Sequence, residues 1–100
     1  MKRRIARENA VLLMFEASFN INNIEDIVNA YKNSEEYPID DFAQKIIDDY
    51  FVDPAKIDDL IISQLKGWSI ARLPRVNTAI MRIAISEMLY SDENMDSIVI

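Results

Sequence analysis

Apolar residues recur along this chain every three or four positions, the period of an α-helix that buries one side. The pattern first runs from Arg3 to Phe19, where Ala6, Ala10, Leu13, Met14 and Ala17 are in phase and Val11, Leu12, Phe15 and Phe19 widen the stripe. A stripe that broad predicts burial on more than one side. Asn20-Ile21-Asn22-Asn23 ends the helix, and a second is predicted over Ile24 to Tyr31 from Ile24, Ile27, Val28 and Tyr31. Ser34 to Pro38 forms the next connection. Pro38 is then expected to open a third helix, in which Phe42, Ala43, Ile46, Ile47, Tyr50 and Phe51 again repeat at three and four.

Asp53-Pro54 marks the cleanest boundary, since Asp can cap a helix whose first residue is a proline lacking the N–H that would go unused there. Ile57, Leu60, Ile61 and Leu65 form the predicted inner face of this fourth helix, and Gly67 stands where a left-handed residue is expected after Lys66. Trp68 to Pro74 links it to a fifth helix over Arg75 to Tyr90. Its predicted stripe is Val76, Ile80, Ile83, Ala84 and Met88, with Ala79 and Ile85 on the flanks. The expected architecture is all-α, about five helices packed antiparallel in one domain over residues 1–100. No internal repeat or low-complexity segment is evident.

Composition narrows the chemistry. One glycine and three prolines are too few for the turns of an all-β fold. With no cysteine and no histidine, disulfides, thiol catalysis, Cys/His zinc sites and imidazole acid–base chemistry are excluded. Hydroxyl nucleophiles lack a histidine partner, and there is no glycine-rich phosphate loop. Neither a cofactor nor a metal is expected. Asp40-Asp41, Asp48-Asp49 and Asp58-Asp59 are read as solvated helix faces, because neighbours on a helix diverge by about 100° and do not converge on one ion. No apolar run spans a membrane, and Arg7, Glu8 and Glu16 interrupt what could imitate a signal peptide, so a cytoplasmic location is expected.

The net charge of −6 argues against a polyanionic partner as an average, but its distribution does not. Four of the 11 basic residues, Lys2, Arg3, Arg4 and Arg7, precede the first of the 17 acidic ones, Glu8. Cations at a helix N-terminus oppose its dipole, and like charges four apart repel, each by a few tenths of a kcal/mol. Stability alone does not favour three arginines here, whereas the planar guanidinium suits phosphate. Two readings stay open on charge alone: a phosphate-binding arm, or a solvated basic start that aids solubility. Met14, Met81 and Met88 are expected as core filler and Trp68 as an anchor beneath its loop, while Glu87 could satisfy a backbone group or an arginine, or face a partner.

Two blocks resemble the NusB transcription-antitermination family. Arg3-Arg4-Ile5-Ala6-Arg7-Glu8-Asn9-Ala10 is similar to the family's arginines followed by Ala-Arg-Glu and an apolar helix. Trp68-Ser69-Ile70-Ala71-Arg72-Leu73-Pro74-Arg75-Val76-Asn77-Thr78-Ala79-Ile80-Met81-Arg82-Ile83-Ala84, continuing through Glu87-Met88-Leu89-Tyr90, resembles the lead-in and body of its central helix. The resemblance implies a NusB-like bundle of two small subdomains and no enzymatic activity. It implies binding, with the ribosomal protein NusE, to boxA RNA of nascent rRNA transcripts within the RNA polymerase antitermination complex. The family's basic N-terminus maps onto Lys2, Arg3, Arg4 and Arg7 as RNA contacts, its first-helix aromatic onto Phe15, and its central helix onto Arg82 for RNA and Asn77 for the partner. The alternative implied by the shared fold is the RNA-binding N-terminal domain of an rRNA cytosine methyltransferase, and a third reading is a helical interaction domain with no RNA role.

Family members continue past the position of Ile100 with two further helices, so this chain, which stops on Ile98-Val99-Ile100, reads as truncated. Apolar surface on the fourth and fifth helices is then expected to be bare and to be relieved by a homo-oligomer or swapped dimer. Light scattering on dilution should report a mass above the 11.6 kDa of one chain, and a strictly monomeric, dilution-stable species would count heavily against this.

Overall fold

The computed structural model describes residues 1–67 and 69–91; Trp68 and the segment 92–100, with the expectations placed on them, lie outside the described residues. Among the described residues there are five helices: α1 Arg3–Ala17, α2 Ile24–Lys32, α3 Asp41–Val52, α4 Pro54–Ser63 and α5 Arg75–Tyr90. Short 3₁₀ turns at Ile21–Asn23 and Ile70–Arg72 shape two connections. Among the described residues the fold is all-α, as the periodicity predicts.

Helix α1 is the hub, packing on α2, α3 and α5, while α5 also packs on α3 and α4. Three alanines on the inner side of α1, Ala6, Ala10 and Ala17, let the neighbouring helices approach closely, and Leu13 and Met14 fill the space between them. Ile46, Ile47 and Tyr50 of α3, Ile57 and Ile61 of α4, and Ala79 and Ile83 of α5 complete the core.

The caps decide the boundaries. Asp53 accepts a hydrogen bond from the Lys56 N–H and Pro54 takes the first helical position, as expected. Pro38, by contrast, does not open α3. The Asp40 carboxylate accepts from the Ala43 N–H at 2.8 Å, so the helix starts at Asp41, Ile39 turns into the core, and the Pro38 carbonyl accepts from Asn9. Asp40 is therefore a cap and not a solvated face. Helix α4 stops at Ser63, earlier than Lys66, because Gln64 and Leu65 donate to the carbonyls three residues back and tighten the last turn. Gly67 still adopts φ +78°, a left-handed conformation that a side chain would strain.

The inner face of α5 departs most from its pattern. Thr78, Ala79, Ile83, Ser86 and Glu87 are buried, while Val76 and Met88, expected inside, are 42% and 43% exposed. Ile80 on α5 and Leu60 on α4 are also exposed, as are Ile5 and Leu12 on α1. The bare apolar surface thus lies on α1 as well as on α4 and α5. A polar contact explains the rotation of α5. The Arg7 guanidinium donates from Nε to Glu87 Oε1 at 2.8 Å and from Nη2 to Oε2 at 2.7 Å, with Arg7 only 7% and Glu87 2% exposed. Glu87, left undecided by the sequence, is an arginine's partner.

Removing one member of this pair strands the other charge in the interior. Glu87→Ala should cost about 3–5 kcal/mol in urea unfolding, and the double variant Arg7→Met/Glu87→Leu should recover most of it. A loss below about 1 kcal/mol in the single variant would show that the pair does not hold α1 to α5.

Candidate nucleic-acid interface

The first turn of α1 carries no acidic residue and no side-chain cap, so its N-terminal N–H groups add to the positive charge of Lys2, Arg3 and Arg4. All three side chains are exposed. The Arg3 guanidinium lies 3.9 Å from the centre of the Phe42 ring, which restricts its orientation. Arg4 approaches Glu8 at 3.8 Å, a long contact between two largely exposed groups that contributes little. These three residues form one cationic end.

Arg7 does not join them at the surface. It leaves the same helix four residues after Arg3, but its guanidinium is committed to Glu87 and passes 5.4 Å from the Phe42 ring. Of the other expected site residues, Phe15 is half-buried near the far end of α1, edge-on to Phe19 with ring centres 5.1 Å apart. Asn77 is exposed in the first turn of α5. Arg82 donates to both oxygens of Asp58 at 3.0 Å and lies 5.4 Å from the Tyr50 ring. The structure therefore gathers Lys2, Arg3 and Arg4, and leaves Phe15, Asn77 and Arg82 away from that end.

A second cationic region escaped the pattern-based reading. Arg75 donates to the Ser18 carbonyl at 2.7 Å and sits 4.3 Å over the ring of Phe19, which is 62% exposed. Beside them a cleft of about 380 Å³ is lined by Ser18, Tyr50, Ile70, Leu73, Thr78 and Arg82, among others. A sequence signal for it exists: between Leu60 and Ser86 there is no acidic residue, while Lys66, Arg72, Arg75 and Arg82 are all basic.

Asp58 also differs from its expected role as a solvated face. It accepts from the Tyr50 hydroxyl at 3.1 Å as well as from Arg82, joining α3, α4 and α5. Among the described residues no group of acidic side chains could hold a metal ion, and no helix is long and apolar enough to cross a membrane.

The family model of the NusB family matches residues 4–100. The transcription antitermination protein NusB of Listeria monocytogenes serotype 4a (strain HCC23) is 33% identical over 93 residues, which cover 93% of this chain and 70% of that protein. The protein of the same name from Oceanobacillus iheyensis is 30% identical over 93 residues, covering 93% and 72% respectively. That of Bacillus pumilus is 33% identical over 94 residues, covering 93% and 70%. No solved structure matches.

The Tyr50 contact leaves a pH signature. Burial pushes the phenol up to about 12, opposed by the Arg82 charge and reinforced by Asp58. The fold thus favours the neutral phenol. This contribution is full below the unfolded value of about 10 and is lost as pH rises through about 12. Tyrosinate absorbance should show a late-ionising step that Tyr50→Phe removes; a titration identical in the two proteins would contradict the buried contact.

Proposed function

Because this chain belongs to the NusB family, we propose that it is an RNA-binding transcription antitermination factor that acts with NusE on boxA RNA of nascent rRNA transcripts, within the antitermination complex of RNA polymerase. The observation that carries the reading is the exposed cationic end formed by Lys2, Arg3 and Arg4 on a chain whose net charge is −6.

Phosphates supply most of the affinity of such a surface, and the acidic body repels RNA elsewhere, so the charge distribution selects the docking end. Arg3 supplies a guanidinium already steadied on Phe42, which lowers the entropy lost on binding. Arg7 acts through position: its pairing with Glu87 sets the direction in which the arm projects. Asn77 lies on the exposed start of α5 and serves the NusE surface in this reading, while Arg82, held by Asp58, lines the cleft beside Arg75.

A titration with boxA-type single-stranded RNA at several salt concentrations, with and without NusE, tests this. Binding should weaken steeply with salt, and Arg3→Ala/Arg4→Ala should reduce the log–log slope by about 1.4, or about 0.7 for each lost phosphate contact. An unchanged slope would remove the arm from the RNA contacts.

A further inference from the structure

We propose that the Phe19–Arg75 pair is a second RNA contact, a stacking platform for an unpaired nucleobase at the opposite end of α1 from the arm. This rests on the RNA-binding reading and adds to it a place and a chemistry that the arm does not provide.

A phenylalanine in the turn after α1 gains nothing from water, yet Phe19 keeps 62% of its surface exposed. Its ring is held on one side by the edge contact with Phe15 and carries the Arg75 guanidinium at 4.3 Å. The hydrogen bond from Arg75 Nη1 to the Ser18 carbonyl fixes that guanidinium in place. An aromatic ring and a guanidinium plane, both exposed and both steadied by neighbours, are what splayed bases stack on in single-stranded RNA recognition. Arg72, exposed in the 3₁₀ turn just before α5, lies in the same acid-free stretch of sequence and extends the positive charge there. The arm, in contrast, has arginines for phosphates, and the aromatic beside it, Phe42, is half-buried where Phe19 is exposed.

The spacing suits one ligand. Helix α1 has 15 residues and so spans about 22 Å, which matches about six nucleotides at about 3.4 Å per stacked step. Arg4, Glu8, Val11 and Phe15 fall within about 60° of one another around α1, and each has solvent access. Phe19 follows one turn further on. A strand anchored at the arm by its phosphates therefore reaches Phe19 along one face, crossing a single acidic residue, Glu8, that already faces Arg4.

The test uses the 100-residue chain and boxA-type single-stranded RNA carrying 2-aminopurine at successive positions. One position should be quenched on binding. Phe19→Leu and Arg75→Lys, which keep bulk and charge but lose a stacking plane, should abolish that quenching and weaken binding about tenfold, with the salt slope unchanged. Phe19→Trp should restore both, a rescue that a purely structural clamp does not predict. Affinity should also rise sharply between RNAs of about four and about eight nucleotides. If Phe19→Leu binds RNA like the unmodified chain while Arg3→Ala/Arg4→Ala still lowers the slope, the platform is overturned and the arm stands. The platform is also overturned if Phe19→Leu weakens only the binding of NusE. If the unmodified chain binds no RNA, the proposed function falls first and the platform with it.

Discussion

The buried ion pair between Arg7 and Glu87 constrains everything else in this fold. Two charges shielded from water are tolerated only when each satisfies the other, and the forked guanidinium meets the carboxylate in a planar, two-bond geometry. Neither α1 nor α5 can rotate about its axis without breaking that geometry. Such a pair adds little net stability over an apolar substitute, but it selects one arrangement against its neighbours. Here the selected arrangement turns Ser86 and Glu87 inward and leaves Val76, Ile80 and Met88 at the surface. It also directs the start of α1, with Lys2, Arg3 and Arg4, away from the core.

The arginines outside that pair share a second device. Arg3 rests on Phe42 and Arg75 on Phe19, so two flexible cations are steadied by aromatic rings. Arg82 is the contrast, matched by Asp58 and tied to Tyr50 at the junction of α3, α4 and α5. Guanidinium groups of similar chemistry thus serve three ends: a buried lock, a structural joint, and exposed cations at the two ends of α1. Net charge conceals this, because most of the acidic residues lie in the one stretch between Arg7 and Leu60.

Much of the fold is legible in the residue pattern alone. The period of three and four marks five helices, Asp53-Pro54 marks a cap and a first turn, and Gly67 marks a left-handed residue, because these are properties of a few adjacent residues. The basic start of the chain was legible as a cluster for the same reason. Pro38 misled because proline permits a helix start without compelling one, and the Asp40 carboxylate two residues on had a free N–H to accept from. Leu60, Val76 and Met88 misled because periodicity reports an apolar side without saying which neighbour covers it.

By itself, then, the sequence determined the helical periods, the cap at Asp53-Pro54, the lack of cysteine and histidine, and the concentration of positive charge at one end. Which arginines remain at the surface was decided by tertiary structure alone. Arg3 and Arg7 are the same residue type on the same helix, four positions apart, and no local rule separates them. What separates them is a carboxylate 80 positions away in sequence, which the fold brings to 2.7 Å from one and not to the surface beside the other. The same holds for Arg75 and Phe19, whose contact exists only once α5 is laid against the end of α1. Electrostatics and stacking act through distance in space, and only packing converts a distance along the chain into one.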